Sequence, residues 1–304
     1  MSPATIDRYL KPYRSELSRH KHSGTKPGSL IKSKIPIQPM DWNVQCPGFA
    51  EADSVAHCGH TLEGSFVWSI TLTDIFTTWT ENRAVWNKGA KNTVAGVEDI
   101  EKNLPFPLLG FDSDNGSEFL NHHLINYFTC DNTLRVQLFR SRPYKKNDNA
   151  HVEQKNWTHV RQIFGYHRID NPDVVDLMND LYKNELSILN NFFSPSIKLI
   201  RKTRIGAKIK KEYDLPQTPY QRLLNSKTLS PEQLIRLDKL YVTQNPFKLK
   251  KSMESNSTPS SLSFRGHPML KLLNHLGALH LRLPFLMSQY AFQITNRADP
   301  GHEF

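Results

Sequence analysis

Three acidic residues stand in stretches that otherwise read as interior, and one chemistry suits all three. Asp53 lies in an extended stretch where Phe49, Glu51, Asp53 and Val55 share one face, while Ala50, Ala52, Ser54 and Ala56 line the other, so neither face reads as open solvent. Asp114 closes a short apolar run at the turn dipeptide Asn115-Gly116. Glu153 belongs to a periodic helix and, at about 100° per residue, falls on the arc of Val152, Trp157, Val160, Ile163 and Phe164. A carboxylate on a buried face is costly unless a cation or hydrogen-bond donors meet it. Each acid also has a structural reading: a strand-end acid, a turn in which Asp bonds the backbone two residues on, and free N–H groups at a helix start. Asp112 would point to the same face as Asp114 and competes for its role.

Three acids on separate elements can converge on one point, where they would repel each other unless a cation neutralises them. Carboxylate oxygens suit Mg²⁺ or Mn²⁺, and two such ions roughly 3.5–4 Å apart can activate an attacking oxygen and stabilise a leaving one in phosphoryl transfer. His57 and His151 lie near these acids in sequence, but hard-oxygen chemistry argues against an imidazole site.

The elements that must carry these acids are legible in outline. Phe49 to Cys58 reads as a strand, and Ser65 to Thr80 holds two β-branched and aromatic runs around Thr73-Asp74, giving three strands. Helices are expected at Asn92 to Asn103, Glu118 to Phe128, Ala150 to Tyr166, Asp173 to Phe193 and Ser230 to Val242, the last stopping at Asn245-Pro246. Pro107 to Asp114 and Arg135 to Ser141 read as further strands. Three strands followed by alternating helix and strand predict a mixed α/β sheet with helices on both sides.

The chain has 304 residues and a net charge of +10, which points to a polyanionic partner, nucleic acid first. Cys46, Cys58 and Cys130 are isolated, so no disulfide framework or zinc module is indicated, and a reducing cytosol fits. No apolar run reaches the roughly 18 to 20 residues of a membrane helix, and the N-terminus is not a secretory signal. Lys198 to Lys211 carries seven Lys/Arg and no acid, a solvated face or linker, or a phosphate-binding run. Ser255 to Ser263 is a Ser/Thr/Pro-rich linker before a Leu-rich tail.

The chain resembles the retroviral-type integrase core found in bacterial DDE transposases, through Asp53 in EADSVAHCG, Asp114 in SDNGSEFLN and Glu153 in RSRPYKKNDNAHVEQKNW. The separations of 61 and 39 residues match that family's long-then-short spacing, and the wording looks most like the integrase-like transposases of bacterial insertion sequences. The resemblance covers Pro36 to Lys251. It implies a ribonuclease-H-like mixed sheet flanked by helices, with basic N- and C-terminal extensions, and metal-dependent DNA cleavage and strand transfer. It selects Asp114 over Asp112 and makes Asp53, Asp114 and Glu153 the catalytic and metal-binding residues, with Mg²⁺ or Mn²⁺ as cofactor. Gly116 would supply the turn presenting Asp114, and Glu118 and Asn121 would cap or position the next helix.

By the same resemblance, Ser141 to Asn149 is the loop before the catalytic helix. Its Arg142, Lys145 and Lys146 would hold DNA, together with Lys155, Arg161, Arg201, Lys202, Arg204, Lys208, Lys210 and Lys211. Expected partners are double-stranded DNA, as transposon ends and target, and further copies of the chain; no membrane is involved, and the setting is the bacterial cytoplasm and nucleoid. The expected division is a basic arm at 1–47, remnant of a helix-turn-helix region, a catalytic core at 48–200, a basic DNA-binding extension at 201–251, and a frameshifted or fused tail at 252–304. Two other classes remain: a catalytically inactive DNA-binding remnant, and a nuclease acting on RNA in hybrids, against which the basic extensions weigh.

Overall fold

The computed structural model describes residues 44–114, 116–141 and 150–256, with positions 5, 8 and 9 near the start. The expected N-terminal arm before residue 44, the 142–149 loop and the tail from 257 lie outside the described residues. Five strands form the main sheet: β1 (Phe49–Ala56), β2 (Val67–Asp74), β3 (Thr80–Trp86), β4 (Gly110–Ser113) and β7 (Gln137–Arg140). Their order is β3-β2-β1-β4-β7, with β5 (Thr129–Cys130) and β6 (Thr133–Leu134) forming a small ribbon. β1, β2 and β3 pair antiparallel, whereas β1 with β4 and β4 with β7 pair parallel. This is the ribonuclease-H-like mixed sheet implied by the sequence.

β2 is buried along all eight residues, because it lies between β1 and β3 with both faces covered. The third strand is not the run ending at Thr80 but the segment after it. Residues 75–79 form a turn in which Asp74 accepts hydrogen bonds from Thr77 N and Oγ1 at 2.7 and 2.6 Å, and from Gly48 N at 2.8 Å. β3 escaped the hydrophobic pattern because its buried side chains are polar: Arg83 donates to Asp99 and Glu81, and Asn82 to Thr71.

Helices cover both faces. On the side of Ala50, Ala52, Ile70, Leu72 and Phe111, α1 (Ala90–Asn103) and α2 (His122–Tyr127) bring Val97, Ile100 and Leu124 onto the sheet. The opposite face, with Val55, Val67 and Ala84, is covered by α3 and α4 through Val160, Phe164, Met178 and Tyr182. α3 runs as Ala150–Lys155, a π-wound Asn156–Arg161, and Gln162–Phe164. α4 begins at Val174–Leu181 and also continues with π-type turns, Tyr182–Leu186 and Leu189–Phe193.

The basic run is a solvated face and not a linker. It folds as an exposed antiparallel hairpin, β8 (Leu199–Ile205) and β9 (Lys208–Tyr213), turning at Gly206 with φ +60°. The hairpin is followed by α5 (Pro219–Ser226), α6 (Pro231–Thr243) and α7 (Pro246–Asn256). α5 and α6 open on capping boxes, Thr218 with Gln221 and Ser230 with Gln233. Asn245-Pro246 ends α6 as expected but also starts α7, since proline is tolerated in a first helical turn. The expected boundaries at 200/201 and 251/252 fall inside β8 and α7.

Candidate active site

Parallel pairing of β1 with β4 sets Glu51 beside Asp112 and Ala52 beside Ser113, so one step further the two chains bring Asp53 next to Asp114. Asp53 thus lies within β1, one position past its last pairing with β4, and Asp114 directly follows the end of β4, about 5 Å away in the backbone. Asp114 Oδ1 accepts from Gly116 N at 2.9 Å, so the expected turn chemistry is present. Asp53 Oδ1 accepts from Ser54 N at 2.7 Å and Oδ2 from Asn156 Nδ2 at 2.7 Å. Burial first, then the charges of Asp114, Glu118 and Glu153, push the Asp53 carboxyl up to about 7.

Glu153 is exposed rather than on the buried arc, and Trp157 is 49% exposed. The winding explains this departure. A π-type turn advances each residue by less than an α-turn, about 4.4 residues per turn, so Val160 and Phe164 rotate back beneath Val152 while Glu153 and Trp157 stay outside. Glu153 does not take the N–H groups at the helix start either. Glu51 does: its Oε2 accepts from His151 N and Val152 N, both at 3.1 Å. Burial above all pushes Glu51 up to about 8, opposed by those two N–H groups and reinforced by Asp112 and Glu153. Asp112 is 1% exposed and accepts a long bond from Ser141 Oγ at 3.4 Å.

Asn121 caps α2, its Oδ1 accepting from Leu124 N at 2.9 Å, but Glu118 does not share the task. Instead Glu118 folds inward, Oε1 meeting Lys88 Nζ at 2.5 Å and Ser54 Oγ at 3.2 Å, while the buried Oε2 has no hydrogen-bond partner. Gly116 matters for space: it is not in the left-handed region, and a Cβ there would lie 2.6 Å from Glu118 Cδ. Asn156, Glu51 and Lys88 were missed from sequence. Asn156 had a signal, since three residues beyond Glu153 a helix presents nearly the same side.

The His57 ring is engaged away from the acids. His57 is buried with Nε2 2.8 Å from Ser69 Oγ, and burial, then Arg161, lowers it to about 3. Burial, then Lys198 and Lys155, lowers His151 to about 4. Of the expected DNA contacts, Lys155 is half-buried and lowered to about 8, by burial and then Arg222. Arg161 is turned inward, donating to Ala56 O at 3.0 Å and Gly165 O at 3.2 Å and stacking on Tyr166. Arg142, Lys145 and Lys146 lie outside the described residues. The other six expected cations are exposed on the hairpin. By register, Lys202, Arg204 and Lys211 share one face with Ile209; Arg201, Lys208 and Lys210 share the other with Glu212, which pairs with Arg201 at 2.7 Å and Lys210 at 3.4 Å.

Among the described residues no three His, Cys, Asp or Glu side chains close into a ready-made metal cage. The donor set nevertheless fits a hard divalent cation. Asp53, Asp114 and Glu153 offer carboxylate oxygen only, and burial first, then the neighbouring acids, raises Asp53, while Glu118 Oε2, on a carboxylate paired to Lys88 through Oε1, lacks a hydrogen-bond partner.

Strand order and pairing define a ribonuclease-H-like mixed sheet flanked by helices, with Asp53 on β1, Asp114 just after β4 and Glu153 on α3. In sequence, the chain is similar to the uncharacterized protein y4rM of Sinorhizobium fredii (strain NBRC 101917 / NGR234), 37% identical over 223 residues, 73% of this chain and 63% of that protein. The chain therefore spans less than two thirds of the length of this curated relative. No protein-family profile matches. Solved structures with partial likeness include the catalytic core domain of BIV integrase, at 14% identity and TM-score 0.34 over 59% of this chain and 95% of that one. Another is the HTLV-2 integrase catalytic core domain in complex with magnesium, at 15% and 0.35 over 50% and 91%. A third is a simian T-cell lymphotropic virus intasome in complex with a PP2A regulatory subunit, at 12% and 0.40 over 76% and 77%. No helix among the described residues is long and apolar enough to cross a membrane.

Proposed function

We propose that the chain is a DDE-type transposase/integrase that cleaves and joins DNA strands with Asp53, Asp114 and Glu153 and a divalent metal, Mg²⁺ or Mn²⁺. The observation that supports this reading is the parallel pairing of β1 with β4, which puts Asp114, just after β4, beside Asp53 within β1, with the charges of Asp114 and Glu153 both acting on Asp53. Asp53 and Asp114 would hold the first metal and Glu153 would complete the second position. When bound, the pair supplies Lewis acidity to the attacking and leaving oxygens of a phosphodiester. Asn156 fixes one Asp53 oxygen, so the carboxylate keeps one orientation. Water first attacks at a transposon end, and the freed 3′-OH then attacks a phosphodiester of target DNA.

DNA is the partner that an exposed, strongly basic hairpin fits, and joining two ends calls for more than one copy of the chain, working at the cytoplasmic nucleoid. The order of basic arm, core, basic extension and tail belongs to this reading, with the two inner limits moved clear of β8 and α7. The test is calorimetric Mn²⁺ binding together with joining of end-bearing oligonucleotides, comparing wild type with Asp114→Asn. Loss of both in the variant supports the reading. A wild type that binds DNA but neither binds Mn²⁺ nor joins strands makes the chain a DNA-binding remnant.

A further inference from the structure

We propose that Glu51 is a positioning residue of this centre: a carboxyl on β1 that fixes the first turn of α3 and thereby sets where Glu153 stands. The inference deepens the strand-transfer reading and rests on it for its effect on rate. Glu51 is 1% exposed, a costly place for a carboxyl unless donors meet it. Its Oε2 receives two, the N–H groups of His151 and Val152 at 3.1 Å each. These belong to the opening turn of a helix, where N–H groups have no partner within the helix. The acceptor is a strand residue 100 and 101 positions earlier in sequence.

The geometric consequence follows from two adjacencies. Val152 immediately precedes Glu153, so the clamp holds the two peptides just before the one on which Glu153 is mounted. Asp53 is two residues beyond Glu51 on the same face of β1, so one short strand carries an acid of the centre and the anchor of the helix that brings another. The separation of Asp53 and Glu153 is thereby tied to the geometry of β1. Glu51 touches no reacting atom; it acts through Glu153.

The full chain with Glu51→Ala and Glu51→Gln provides the test, since Gln keeps the shape and an acceptor oxygen. Hydrogen exchange at the His151 and Val152 amides is read beside plasmid strand joining in Mn²⁺, normalised to the folded fraction from a denaturation curve. Glu51→Ala is expected to speed exchange at those two amides and to slow joining about 100-fold, the scale of a misplacement of roughly 1 Å. DNA affinity stays unchanged, and Glu51→Gln recovers most of the rate and the exchange protection. Unchanged exchange in Glu51→Ala, a Gln variant as impaired as Ala, or a rate loss that merely tracks the folded fraction overturns the inference. If wild type joins no strands, the strand-transfer reading falls, and exchange at the two amides alone decides whether Glu51 holds the helix.

Discussion

Asn156 is the residue whose role is most local: its amide donates to Asp53 Oδ2 at 2.7 Å. Losing a hydrogen bond to a charged group costs about 1.5–3 kcal/mol, so Asn156→Ala should slow strand joining roughly 10- to 100-fold with DNA affinity intact. Asn156→Asp should be worse, since it replaces the donor with another charge among Asp114, Glu118 and Glu153. Equal rates in wild type and both variants would remove Asn156 from the centre. His57 gives a pH dependence. Its folded value, about 3, lies below the ordinary imidazole value of 6.5, so the unfolded chain binds more protons between them, and stability falls as pH drops from about 6.5 towards 3. Thermal melts of His57→Gln should therefore show a shallower decline across that window than wild type; parallel curves would mean that His57 titrates normally in the fold.

The elements show which parts of the site could be read in advance. β1, β4 and the helix from Ala150 were legible, because apolar periodicity and the Asn115-Gly116 turn mark them directly. Hence Asp53, Asp114 and Glu153 could be singled out as candidates, although Asp112 competed with Asp114 until the family resemblance chose between them. β3 was not legible, because it buries Glu81, Asn82 and Arg83 in polar partnerships and so mimics a surface segment. The exposure of Glu153 was misjudged for another reason: π-type winding in α3 depends on tertiary packing and breaks the 3.6-residue period used to read it. The seating of the hairpin depends on Arg222, 6% exposed, which donates to Asp214 Oδ2 at 2.9 Å, Ser196 O at 2.6 Å, Gln217 O at 3.1 Å and Thr78 Oγ1 at 3.2 Å. Arg222→Ala should destabilise the fold by about 3–5 kcal/mol in urea titrations, and lysine should not rescue it, lacking the planar fork. A cost below about 1 kcal/mol would show that these bonds contribute nothing net.

At the scale of the molecule, a charge of +10 and an exposed basic hairpin predict salt-sensitive DNA binding. Lys202 and Lys211 are cross-strand neighbours on the hairpin face that lacks Glu212. Each alanine substitution there should lower the slope of log K against log salt by about one, without altering sequence preference. Arg161→Ala, by contrast, should leave the slope unchanged, since its guanidinium is spent inside the fold. The central claim is that three carboxylates on a ribonuclease-H-like sheet perform metal-dependent strand cleavage and joining. The most direct measurement is conversion of supercoiled plasmid to nicked and joined products in Mn²⁺ by wild type and by Glu153→Gln, which keeps the shape and removes the charge. The account predicts product from wild type and none from the variant at equal DNA binding. Equal product from both, or DNA binding without any cleavage by wild type, would contradict it.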